Sequence, residues 1–152
     1  MAKKYLMKTE PSVYSIDDLK KEKKTPWDSI RNYQARNIMK GMEIGDEILI
    51  YHSNAKPPGV AGLGVISKTA FPDPVQFDKK SPYFDPKATK ENPRWFCPEV
   101  KFVRKFKNYV GLPELREKKS LEAMPLLQRG SRLSVQPVST KEFNTILKMA
   151  GE

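Results

Sequence analysis

Proline is the residue that most limits what this chain can form. Thirteen prolines are spread over its 152 residues, and six of them lie within residues 71–98. A proline lacks a backbone donor and ends helices and central strands, so many short elements and long ordered loops are favoured over a helical bundle. The length matches one domain that can bury a real core. We therefore expect a single α+β domain over residues 1–152.

Local patterns indicate where the elements of that domain lie. Apolar or alternating runs predict strands at residues 4–8, 47–54, 60–67, 100–107 and 131–137. Capping-box spacing and apolar stripes predict helices at residues 15–21, 35–40, 112–116 and 139–150. The lysines of residues 20–24 are expected to form a solvated linker, with a phosphate-binding patch as the alternative. Gly62 and Gly64 are expected to mark bends of the sheet or the close approach of a ligand.

The charge of the chain indicates a class of partner. Lys and Arg total 28 against 18 Asp and Glu, which gives a formal net charge of +10. An excess of this size attracts polyanions and speeds encounter with them, although it does not determine the fold. Nucleic acid is therefore the first partner class to consider. A generally basic surface without such a partner is the alternative.

Several functional classes receive no support from the sequence. A single Cys97 and a single His52 exclude an internal disulfide and argue against a Cys/His zinc site, so we expect no metal and no cofactor. The N-terminus has no apolar signal segment, and no apolar run is long enough to span a membrane. We expect a monomer in a reducing compartment, either the cytoplasm or, in a eukaryotic source, the nucleus.

Residues 27–37 contain an unusual mixture of side chains. Two large aromatics, two arginines and three amides occur within eleven residues. Asn32 and Arg36 lie along one edge of the predicted helix and are half-buried, so their polar groups must find partners in the protein or in a ligand. Trp27 and Arg31 precede that helix and are expected near its N-terminal end, where free N–H groups attract anions. We interpret the segment as one wall of a pocket for a nucleobase. In the alternative interpretation Trp27 is core and the arginines pair with nearby carboxylates: Asp28, Glu43 or Asp46.

Two further segments are candidates for the opposite wall. Alternation along the second predicted strand places Tyr51 and Ser53 on one face and His52 on the other. His52 and Ser53 therefore cannot form a base and nucleophile pair, and His52 is expected to be a satisfied structural group. Trp95 lies in the proline-rich loop, where it is predicted either to pin that loop to the core or to close the pocket.

Four motifs spread over nearly the whole chain: Lys8-Thr9-Glu10-Pro11, residues 27–37, Tyr51-His52-Ser53-Asn54 and residues 132–137. Together they resemble the EVE-domain family of the PUA-like superfamily, and most closely its thymocyte nuclear protein-like members. The resemblance implies a PUA-like fold, in which a bent mixed β-sheet forms a pseudo-barrel with flanking short helices. It also implies a pocket for a modified, flipped-out base of DNA or RNA, with no established catalysis.

The resemblance assigns pocket or rim positions to eight residues: Lys8, Trp27, Arg31, Asn32, Arg36, Tyr51, Ser53 and Arg132. We expect Trp27, with Tyr51 or Trp95, to supply stacking rings, and Ser53 and Asn32 to contact the base edge. The remaining cationic residues of the set would contact flanking phosphates. Two positions depart from the family pattern, since Tyr5 replaces a common Trp and Ser29 replaces the Gly that usually follows the Trp-Asp pair.

Two other functions stay open from the sequence. An enzyme acting on a modified base or nucleotide would use Glu10 as acid or base beside Lys8, although no triad, metal cluster or phosphate-binding loop accompanies it. A protein-interaction adaptor would make the basic surface incidental.

Overall fold

The computed structural model describes residues 2–130 and 132–152, which form one six-stranded sheet and four α-helices. The strands are β1 Lys4–Thr9, β2 Lys24–Pro26, β3 Glu47–His52, β4 Gly59–Pro72, β5 Phe96–Gly111 and β6 Val135–Val138. They are arranged in the order β2-β5-β4-β3-β1-β6. β1 runs parallel to β3 and the other neighbouring strands are antiparallel, so the sheet is mixed. The predicted α+β class is confirmed.

The four helices are short. They are α1 Ile16–Glu22, α2 Tyr33–Lys40, α3 Leu112–Glu117 and α4 Thr140–Met149. The capping boxes predicted for α1 and α4 both form, with Ser15 and Ser139 as the N-caps. α2 ends at Gly41 as its sequence predicts.

The sheet is strongly bent but does not close into a barrel. No ladder joins the edge strands β2 and β6 within the described part of the chain. The pairing of β4 with β5 shifts register next to Gly62 and Gly64. A Cβ atom on Gly62 would lie 2.7 Å from the backbone oxygen of Arg104, and one on Gly64 would lie 2.8 Å from Val100 Cγ1. These glycines therefore mark bulges where β5 approaches closely, as one of the two sequence interpretations predicted.

Both faces of the sheet are buried. The alternation of β3 places Leu49 and Tyr51 in one hydrophobic cluster, which α4 covers, and Ile48 and Ile50 in a second cluster, which α1 and α2 cover. Gln136 and Val135, which are adjacent in β6, are consequently both fully buried. The candidate site lies at the edge of the second cluster.

Strand lengths differ from the prediction because long-range pairing decides them. The lysine-rich segment 20–24, which was predicted to be a linker, is divided between α1, which extends to Glu22, and β2, which begins at Lys24. β2 forms because Thr25 pairs with Val100 of β5. β4 and β5 extend beyond the predicted ranges because their outer ends pair with each other, as in the pair Phe71 and Cys97. β6 begins only at Val135, and Ser131, the first residue of the predicted strand, lies outside the described residues.

Candidate functional site

An open cleft of about 440 Å³ lies where the end of β1, β2 and residues 27–30 meet the loop between β4 and β5. Its lining residues are Lys8, Thr9, Val13, Tyr14, Glu22, Thr25, Pro26, Trp27, Asp28, Ser29, Ile30 and Tyr83. Three of them, Tyr14, Trp27 and Tyr83, are aromatic. A concave site with several aromatic side chains and a few polar groups is the usual form of a small-ligand pocket.

Trp27 is held rigidly at the inner wall of the cleft. It follows β2, and its backbone N–H donates to the Pro98 oxygen at 2.9 Å. Only 6% of the residue is exposed, and it belongs to the second hydrophobic cluster together with Tyr5 and Met39. Tyr5, which stands where the family resemblance expects Trp, is therefore a core residue and not a lining residue of the cleft.

A buried carboxylate joins the two sides of the site. Asp73 is 1% exposed, and its Oδ2 accepts from the Ser29 N–H at 2.8 Å and from Arg31 Nη1 at 3.0 Å. Its Oδ1 accepts from the Val75 N–H at 2.7 Å. Arg31 Nε in turn donates to the backbone carbonyl oxygen of Tyr83 at 3.0 Å. Asp73 and Arg31 therefore fix the distance between the Trp27 wall and the Tyr83 loop.

Arg31 is accordingly a structural residue of the site wall. Its partner is Asp73, and not one of the three carboxylates that the alternative interpretation considered. Asp46 instead accepts from the backbone N–H groups of Lys3 and Glu43, both at 2.9 Å. Arg31 Nη2 is buried and has no hydrogen-bond partner among residues 2–130 and 132–152.

Ser29 adopts a backbone conformation that favours glycine. Its φ angle is +71°, in the left-handed region. Its N–H is committed to Asp73 and its hydroxyl donates to Asp28 Oδ1 at 3.0 Å. The positive φ angle at this position therefore explains why the family resemblance expects Gly here.

Substitution Ser29→Gly is expected to raise the free energy of unfolding by about 0.5–1 kcal/mol, because it removes a left-handed non-glycine residue. Chemical denaturation would measure the change. Ser29→Ala is the control, since it keeps the strain and loses the hydroxyl bond, and it should lower stability. A Ser29→Gly variant less stable than Ser29→Ala would contradict this explanation.

The cleft is not cationic, although the whole chain carries a net charge of +10. One lysine, Lys8, lines it together with two carboxylates, Glu22 and Asp28. Burial lowers the pKa of Lys8. Burial also raises the pKa of Asp28, while the Ser29 hydroxyl bond opposes that rise. The Tyr14 hydroxyl donates to Glu22 Oε1 at 2.7 Å, and burial together with this bond raises the pKa of Tyr14.

Trp95 and Arg36 belong to a separate stack outside the cleft lining. The Trp95 ring stacks on Tyr33 with centroids 4.9 Å apart, and the Arg36 guanidinium lies 4.9 Å from the Tyr33 centroid. Trp95 Nε1 donates to Asp85 Oδ2 at 2.8 Å, and Arg36 Nη1 donates to the Arg94 oxygen at 2.9 Å. The sequence left two roles open for Trp95, which were to pin the loop to the core or to close the pocket. These contacts favour the first role.

Three other predicted site residues make contacts within the protein. Asn32 is the N-cap of α2, since its Oδ1 accepts from the Ala35 N–H at 2.9 Å. Tyr51 is 4% exposed in the first hydrophobic cluster, and burial raises its pKa to about 12. The Ser53 N–H donates to the Thr9 oxygen at 2.9 Å.

Of the nine predicted pocket residues, Lys8 and Trp27 thus line the cleft and Arg31 supports it through Asp73. The others are not among its lining residues: Asn32, Arg36, Tyr51, Ser53, Trp95 and Arg132. Arg132 is exposed. His52 is a satisfied structural group as predicted, because its Nε2 accepts from the Ile16 N–H at 3.1 Å.

Sequence reasoning missed several residues of the site. Asp28 and Ser29 lie inside residues 27–37, but Asp28 was considered only as a partner of the arginines and Ser29 only as a departure from the family pattern. Tyr83 lies in the proline-rich loop, where Trp95 was the residue predicted to close the pocket. Asp73 lies between Pro72 and Pro74, and no local pattern shows that it is buried.

The residues considered for catalysis do not converge on the cleft. Glu10 is exposed, accepts from Asn54 Nδ2 at 2.9 Å, and is not a lining residue. Among the described residues, no three His, Cys, Asp or Glu side chains are grouped as metal ligands. None of the described helices has the length and apolar character that crossing a membrane requires.

Comparison with known proteins gives consistent matches over nearly the whole chain. A model of the EVE domain family matches residues 3–149. Human thymocyte nuclear protein 1 is 42% identical over 164 residues, which cover 95% of this chain and 72% of that protein. The crystal structure of human THYN1 protein in complex with DNA containing 5-methylcytosine superimposes with a TM-score of 0.92 at 40% identity, covering 99% of both chains. A hypothetical protein from Leishmania major matches with a TM-score of 0.95 at 48% identity, covering 99% of this chain and 96% of that one.

Proposed function

The chain belongs to the EVE domain family, and from that premise we propose that its cleft binds a modified base of the 5-methylcytosine kind, turned out of a DNA strand. The observation that carries the proposal is an aromatic-lined cleft in a chain 40% identical to human THYN1 protein, whose structure is in complex with DNA containing 5-methylcytosine. The proposed activity is recognition without turnover. An RNA strand as the preferred ligand is an alternative outcome of the binding experiments.

The energetics of a flipped base match the groups that line the cleft. A base that leaves the stack loses a few kcal/mol, and the binder must offset that loss. Each aromatic platform contributes about 1–3 kcal/mol by stacking. Trp27 and Tyr83 are the proposed platforms. The cleft, at about 440 Å³, lies within the size range of ligand pockets, roughly 300–1,000 Å³.

Methyl recognition and backbone recognition are proposed to be separate contributions. A small apolar niche distinguishes one methyl group by about 10–200-fold at most. The phosphates, in contrast, are attracted by the net charge of the whole chain and make binding salt-dependent. Lys8 at the cleft and the exposed Arg132 are the proposed phosphate contacts, and Arg36 is proposed as a rim position.

Substitution Tyr83→Ala is expected to weaken binding of a DNA oligonucleotide with a single 5-methylcytosine by about 1–3 kcal/mol, because one stacking platform is lost. Tyr83 is 45% exposed, so the fold should be retained. Fluorescence anisotropy at fixed salt would measure the affinity. Tyr109→Ala is the matched control, because Tyr109 is 38% exposed on β5 and does not line the cleft. Equal affinities of the two variants would contradict the proposed site.

A further inference from the structure

Asp28 lines the cleft, and one of its two carboxylate oxygens has no hydrogen-bond partner among the described residues. Its Oδ1 accepts from the Ser29 hydroxyl at 3.0 Å. Within the described residues, no donor is hydrogen-bonded to its Oδ2. Arg31, the nearest cation in sequence, is committed to Asp73 and Tyr83 and does not form an ion pair with Asp28. The cleft wall therefore carries one carboxylate oxygen that is available to a ligand.

The surroundings of that oxygen favour a donor over any other group. Asp28 is half-buried, so water reaches its carboxylate only in part, and burial raises its pKa. A second carboxylate, Glu22, lines the same cleft and already accepts from Tyr14. With two carboxylates among the lining residues, an anionic group is disfavoured beside Asp28. A neutral base that carries N–H groups complements this wall.

We propose that Asp28 selects the bound base by its exocyclic amine, with Oδ2 accepting an N–H from a cytosine-type base. Carboxylates accept hydrogen bonds from the cytosine amine in base recognition, whereas thymine and uracil present a carbonyl oxygen at the corresponding position. A carbonyl oxygen facing a carboxylate oxygen leaves both without a donor and is disfavoured. The inference rests on the proposed function and specifies the class of base that the same cleft takes.

The arrangement makes the two recognition elements independent. The aromatic side chains Trp27 and Tyr83 respond to the ring and the methyl group of the base, which 5-methylcytosine and thymine share. Asp28 responds to the 4-position, where these two bases differ. A comparison of the two bases therefore isolates Asp28 from stacking and from methyl recognition.

The experiment compares three DNA oligonucleotides that are identical except for one central base: 5-methylcytosine, cytosine or thymine. Wild-type protein is expected to bind 5-methylcytosine about tenfold or more tightly than thymine. Asp28→Asn keeps the size of the side chain but adds an N–H₂ group that can satisfy a carbonyl, so this ratio should fall to about one. Glu22→Gln removes the same charge from the same cleft, and the ratio should stay at its wild-type value.

The outcomes distinguish this inference from the proposed function. The inference is overturned if wild-type protein binds 5-methylcytosine and thymine equally, or if Asp28→Asn keeps the wild-type ratio. In either case the proposed function survives, provided that methylated cytosine is still preferred to cytosine and that Tyr83→Ala still weakens binding. If neither condition holds, the proposed function itself is overturned. The wild-type ratio is measurable without any variant, so the test does not depend on how well Asp28→Asn folds.

Discussion

Substitution Asp73→Ala is expected to lower the free energy of unfolding by about 3–5 kcal/mol, the range found when one partner of a buried ion pair is removed. Asp73 is 1% exposed and accepts from two backbone N–H groups as well as from Arg31 Nη1. Its removal leaves the mostly buried Arg31 guanidinium without its carboxylate and the Ser29 N–H without an acceptor. The segment after Trp27 and the Tyr83 loop would then lose their common anchor.

Thermal unfolding gives a direct measurement of this loss. For a domain of about 150 residues each 1 kcal/mol shifts Tm by roughly 2–4 °C, so Asp73→Ala should unfold at least about 6 °C below wild type. Asp78→Ala is the matched control in the same loop, because Asp78 is exposed and its Oδ1 accepts only from the Lys80 N–H at 2.9 Å. Its Tm should change little. Equal shifts for the two variants would show that Asp73 does not anchor the site.

Substitution Trp27→Ala is expected to weaken binding of 5-methylcytosine DNA by about 1–3 kcal/mol, because the inner stacking platform is lost. The same change should cost about 3–5 kcal/mol of stability, since Trp27 is 6% exposed in the core. Affinity is therefore to be measured well below the Tm of the variant.

Trp95→Ala provides the comparison that separates the two effects. Trp95 is also 6% exposed, so its substitution should lower the free energy of unfolding by a similar amount. Trp95 stacks on Tyr33 and does not line the cleft. At a temperature where both variants are folded, only Trp27→Ala should lose the preference for the methylated base. If Trp95→Ala loses that preference and Trp27→Ala retains it, the pocket lies on the other side of the loop.

Features that depend on neighbouring residues could be predicted from the sequence. The capping boxes at Ser15 and Ser139, the end of α2 at Gly41 and the two faces of β3 all follow from side-chain spacing along one element. Each involves groups within a few residues of one another, where the backbone geometry is known in advance.

Features that depend on distant residues could not be predicted in this way. The carboxylate that pairs with Arg31 lies 42 residues away in sequence, and no local pattern distinguishes it from the nearer acidic residues. β2 is a strand because it pairs with the edge of β5, and its three residues, Lys24–Pro26, are too few to form a strand pattern of their own. Tyr83 reaches the cleft because the long loop is fastened to Asp73 and Arg31.

The family resemblance identified the region of the site but did not separate its lining from its supports. Within residues 27–37 the first four residues, 27–30, line the cleft. Arg31, Asn32 and Arg36 follow them and make contacts within the protein. A motif of adjacent residues contains both kinds, because a pocket wall and the residues that hold it are continuous in the chain.

The central claim, that the cleft recognises a modified base, is tested most directly with two DNA oligonucleotides that differ by one methyl group on one cytosine. Wild-type affinity for both is measured at two salt concentrations. Both affinities should fall as salt rises, because phosphate contacts are screened, while the preference for the methylated strand should stay at about tenfold or more. Equal affinity for the two strands at both salt concentrations would contradict the claim and would leave only binding by the net charge of +10.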